Sequence, residues 1–111
     1  MSDRELLELA AKAAGMPTPK WNEVHGYMMI GMGGATKEWS PLEDDGDALR
    51  LAVRLNLSIR FDSCAGGVAV DVGGEWDDAP AGAQEVYERD GGAATRRAIV
   101  RAAAEIGQSK S

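Results

Sequence analysis

His25 is the only histidine and Cys64 the only cysteine of the chain. A dyad between them would need the imidazole within hydrogen-bond reach of the thiol, so that it can take the proton and leave a nucleophilic sulfur. Each lies in a segment that reads as loop, and nothing in the spacing brings a partner to either, so both read as loop residues. Glu43-Asp44-Asp45-Gly46-Asp47 is the densest acidic run, and hard cations take oxygen ligands of this kind. It is not an EF-hand loop: the glycine falls at the wrong place, and Arg54 stands where the closing glutamate belongs. Carboxylates at a helix start accept orphan N–H groups and complement the helix dipole, so capping is the preferred reading. Gly31-Met32-Gly33-Gly34 has the look of a phosphate loop. Thr36 occupies the place of the third glycine, no Lys-Ser or Lys-Thr follows, and the next helix opens on acids, so a turn is expected.

Charged groups supply the remaining candidates. Arg96, Arg97 and Arg101, with Arg50, Arg54 and Arg60, are the material for a phosphate-binding patch. Arginines at such spacing more often solvate a helix face or pair with acids, so nucleic acid ranks last among the partners. Residues 75–90 hold six carboxylates against one arginine, with Trp76 and Tyr87 embedded. Aromatic anchors in a charged segment suit a protein interface. Trp76, Asp77, Asp78, Glu85, Tyr87 and Glu88 are therefore the candidate partner-binding residues. No catalytic, cofactor-binding or metal-binding residue is assigned, and no cofactor is expected.

The frame that must position these residues is small. The 111 residues suit one domain, expected over 1–107 with 108–111 as a frayed tail. The net charge of −6 disfavours duplex DNA as the default ligand. A single cysteine excludes an internal disulfide and a cysteine zinc site. No apolar run is long enough for a membrane span, and no secretory signal is visible, so a cytoplasmic protein is expected. With 18 alanines and only six aromatic residues, the core must be built from small side chains.

Ser2-to-Glu5 has capping-box spacing, and Gly15 is placed to end a helix over 3–14. Residues 16–26 read as an irregular connection and Tyr27–Met32 as a buried strand. Thr36–Trp39 reads as a short strand or as the lead into the next helix. That helix starts between Ser40 and Asp47, either on the Ser40-Pro41-Leu42-Glu43 capping box or on Asp44 or Asp45, and Asn56 ends it. Ala48, Leu49, Leu51, Ala52, Val53 and Leu55 leave it only a narrow polar stripe, so it should be well buried, or in part covered by a second copy of the chain. Leu57–Asp62 and Val68–Val72 alternate as a hairpin. Residues 75–83 read as surface loop and 84–88 as an edge strand. The last helix starts near Asp90 and should stop at Gly107.

Three segments resemble a known family. Trp39-Ser40-Pro41-Leu42-Glu43-Asp44-Asp45-Gly46-Asp47-Ala48 and the helix behind it, the opening Arg4–Gly15 and the closing Ala94-Thr95-Arg96-Arg97-Ala98-Ile99 are similar to the small temperate-phage and prophage proteins of the phage ABA-sandwich family. The segments occur in the same order and span nearly half of the chain, while residues 16–38 and 63–92 match little. The resemblance implies phage or prophage origin, action in the bacterial host cytoplasm and a compact α-β-α sandwich. It implies no catalytic residue. The fold expected is α/β in the broad sense (α+β), with three helices packed on a short, mainly antiparallel sheet of three to five strands. The function expected is a non-enzymatic module binding a host or phage protein, with modulation of host defence or replication as its role. The alternative is a small-ligand or enzymatic pocket near residues 25–34 and 43–47.

Overall fold

Caps set the helix boundaries in the computed structural model, which describes residues 2–16, 19–24, 26–32, 35–64, 67–76, 79–87 and 89–109. Helix α1 runs Asp3–Ala14, and the Ser2 hydroxyl oxygen accepts the Glu5 N–H at 3.2 Å. Gly15 closes it at φ +66°, where an L side chain would be strained, and the Met16 N–H returns to the Ala11 carbonyl at 3.0 Å. Helix α2 runs Asp45–Arg54 and starts on the second of the two expected origins: Asp44 Oδ2 accepts the Asp47 N–H at 2.8 Å. Asn56 takes the left-handed position after it, at φ 55°, and the Leu57 N–H reaches the Ala52 carbonyl at 2.9 Å. Helix α3, Gly91–Ser109, begins where Asp90 Oδ1 accepts the Ala93 N–H at 2.9 Å.

Among the described residues six strands form two antiparallel sheets of three. The first holds β1 (Lys20–Asn22), β2 (Tyr27–Met32) and β3 (Ala35–Trp39) in that order. Its register sets Trp21 and Trp39 on either side of Met28, making the row that meets the core. The second holds β4 (Ser58–Cys64), β5 (Gly67–Trp76) and β6 (Ala79–Tyr87). Alternation turns Ile59, Val70, Val72, Ala83 and Tyr87 to one face, with Arg60, Asp62, Asp71 and Gln84 on the other. Helix α1 packs on the first sheet and α3 on the second, while α1 and α3 pack on each other and α2 leans on α3. Alanines make this packing tight: Ala10, Ala11, Ala98, Ala102 and Ala103 are all fully buried. The class is mixed α+β with antiparallel pairing, as expected, and its strands are divided between two sheets.

Four local expectations are corrected. Residues 20–22, read as part of an irregular connection, form β1. Residues 75–83, read as a loop, contain the end of β5 and the start of β6, with Glu75 opposite Pro80 and Trp76 opposite Ala79. Pro80 is acceptable there because β6 lies at the sheet edge. Gly107 does not stop α3, which continues to Ser109; it lies against the backbone of Leu9 on α1. Helix α2 is not buried all round: Ala48, Leu51 and Ala52 are in the core, but Leu49 is 59% and Val53 72% exposed.

Candidate functional site

The acidic run is consumed by structure. Asp44 caps α2, and Asp45 Oδ1 accepts from the Arg96 guanidinium of α3 at 2.6 Å. Asp47 is the only buried charged residue among the described ones; it accepts the Ser40 N–H at 3.0 Å and an Arg50 N–H at 2.6 Å. Oδ2 thus ties the Ser40–Glu43 turn to the first turn of α2, while Oδ1 pairs with the next turn of the same helix. Trp39, just before that turn, is buried beside the same helix. No cluster of three potential metal ligands occurs among the described residues.

The arginines are likewise taken up one by one. Arg96 also donates to the Leu42 carbonyl at 2.9 Å, which fixes the turn before α2 onto α3. Arg97 pairs with Asp3 at 2.9 Å and Arg101 with Glu85 at 3.2 Å, so α3 is linked to α1 and to β6. Arg60 lies at 2.9 Å from Asp62 on the outer sheet face. Arg54 donates to the Ala14 carbonyl at the end of α1. The six guanidiniums therefore point to different elements and do not converge on one surface.

Uncovered apolar surface remains, and it follows from the topology. Helix α3 covers the inner face of β5 and β6. β4, at the sheet edge, carries Ile59 and Phe61 on the same inner face. Phe61 is 55% exposed although it faces the side on which the core lies. Beside it opens a hollow of about 380 Å³, walled by Ala48 and Leu49 of α2, Ile59 and Phe61 of β4, Tyr87 of β6 and Ile99 of α3. Its polar edge is the Asp45–Arg96 pair. Gly91, the first residue of α3, lies under the Tyr87 ring, and a Cβ there would stand 2.7 Å from a ring carbon. A second hollow, of about 510 Å³, opens on the other flank of α2, between Met16, Ile30, Trp39 and Val53. Leu49 forms the ridge between the two.

Of the six residues singled out by sequence, Glu85 and Tyr87 have described side chains, and of these two Tyr87 lines the first hollow. Glu85 is held by Arg101 on the helix-covered side of β6. Trp76 ends β5 opposite Ala79. Asp77, Asp78 and Glu88 lie outside the described residues, as do His25, Gly33 and Gly34, and the Cys64 side chain is likewise not described. The second hollow reaches residues 30 and 47 of the alternative pocket expected near 25–34 and 43–47. Sequence reasoning missed Phe61, and placed Leu49 and Val53 on a helix expected to be well buried or in part covered by a second copy. The signal for the helical pair was present: apolar residues around most of α2 exceed what one buried face requires.

No protein-family model matches the chain, and neither curated proteins nor solved structures offer a match. No helix among the described residues is long and apolar enough to cross a membrane.

Proposed function

We propose that the chain is a phage- or prophage-derived accessory protein of the bacterial cytoplasm, acting as a non-enzymatic module that binds a host or phage protein. The observation that carries this reading is Phe61, an aromatic side chain left more than half exposed beside an apolar hollow. Exposed apolar surface rimmed by polar groups is the usual mark of an interaction site, and aromatic anchors dominate binding energy at such sites. Phage origin and the role in host defence or replication rest on the family resemblance of residues 4–15, 39–55 and 94–104.

The test is co-purification of a stoichiometric partner from the bacterial host, followed by reconstitution with Phe61→Asp. Loss of the complex, with the variant's melting temperature unchanged, supports this surface. An undiminished complex places the contact elsewhere.

A second reading uses the same hollow for a small apolar ligand, since about 380 Å³ lies within the range of ligand pockets. A ligand that prefers the folded chain must raise its melting temperature. Screening apolar and aromatic carboxylates by thermal shift separates the two readings.

A further inference from the structure

We propose that a second copy of this chain covers the outward face of α2 in an antiparallel, two-fold contact. Gly46, Leu49 and Val53 recur at i, i+3 and i+7 and therefore share one stripe of the helix. The opposite side, Ala48, Leu51 and Ala52, is already in the core. Leu49 and Val53 together make the largest uncovered aliphatic surface on any described helix. The 510 Å³ hollow beside them extends the patch to Met16 and Ile30.

The charges along α2 say what covers this face. Glu43, Asp44 and Asp45 stand at its N-terminal end, and Arg50 and Arg54 on its C-terminal half. Asp45 is already paired with Arg96, and Arg50 with Asp47 and Asp44. The charges left over are Glu43, exposed and in no ion pair among the described residues, and Arg54, with no carboxylate among the described residues within salt-bridge distance. A two-fold axis near Leu49 sets Glu43 of each copy towards Arg54 of the other, twice. It also sets Val53 over Gly46, a position covered in the single chain by the long Arg50 side chain, which must swing aside. A parallel pairing would stack like charges. Such self-complementarity is what an isologous interface requires. A stable contact needs roughly 800 Å² from each partner, more than one short helix face offers, so the rim of the second hollow must take part. The surface differs from the one around Phe61: Val53, Glu43 and Arg54 lie outside that hollow, and of the exposed α2 residues named above only Asp45 and Leu49 line it.

Sedimentation equilibrium of the full chain tests the inference. The expected result is a mass of two copies, and a Val53→Asp variant at the mass of one copy with its circular dichroism unchanged. That variant should raise the dissociation constant at least about a hundredfold, because it buries an unpaired charge. Glu43→Arg and Arg54→Glu should each weaken the dimer about tenfold, and the two together in one chain should restore most of the loss. Phe61→Asp should leave the mass at two copies, so failure of the Phe61 surface and failure of the dimer are read separately. A wild-type mass of one copy at all concentrations, or a Val53→Asp dimer as tight as wild type, overturns the proposal. A double charge variant no better than the single ones overturns the antiparallel arrangement.

Discussion

A methyl group on Gly107 would overlap the carbonyl oxygen of Leu9. Helices α1 and α3 therefore touch backbone to backbone at this point, and the alanines on both make room for the same approach. Replacing glycine by alanine inside a helix ordinarily gains about 0.5–1 kcal/mol. Here the sign should reverse. Gly107→Ala should cost about 3 kcal/mol or more, because two backbones must separate. Thermal unfolding should show this as a melting temperature lower by roughly 10 °C or more.

Asp47 offers a finer test, since its two acceptor oxygens serve different partners. Asp47→Ala strands the Ser40 N–H in a partly buried place and should cost about 2 kcal/mol in urea unfolding. Asp47→Asn keeps an acceptor for that N–H and loses only the pair with Arg50, whose side chain is largely exposed. Its cost should be below about 1 kcal/mol. Equal costs for the two variants would show that the ion pair, not the backbone bond, matters.

Asp44 is the cap of α2, so Asp44→Ala should cost about 1 kcal/mol and Asp44→Ser much less. The same urea titrations decide this.

Gly91→Ala should act on the hollow rather than on the core. Its Cβ meets the Tyr87 ring, which can swing aside, whereas a backbone obstacle could not. Stability should change by less than about 1 kcal/mol. Binding of any partner or ligand at the Phe61 hollow should fall severalfold, as measured by titration calorimetry.

Local signals were the most legible part of the sequence. Ser2, Gly15, Asp44 and Asn56 act within one helical turn of themselves, so neighbouring residue types suffice to locate them. Gly107 was misread for a physical reason: a glycine that ends a helix and one that admits a neighbouring backbone look alike in a single chain. β1 and the 75–83 stretch were missed because Lys20-Trp21-Asn22 is short and Ala79-Pro80-Ala81-Gly82-Ala83 has no β-branched residue. Both are strands through hairpin pairing, 20–22 with 27–29 and 74–76 with 79–81, rather than through their own composition. The candidate site was the least legible. Whether Phe61 and Leu49 are covered depends on how far α3 reaches across the second sheet, and that is set by tertiary packing.

The outer edge of β6 carries one more consequence. The Gly82 N–H donates to Glu105 at 3.2 Å, and the Gln84 carbonyl accepts from Arg101 at 3.0 Å, both side chains coming from α3. These are the backbone groups that an incoming strand from another molecule would have to capture. Helix α3 thus plugs the border along which templated, amyloid-like growth would begin. Templated growth of the second sheet is thereby opposed on the β6 side, and β4 is that sheet's other border.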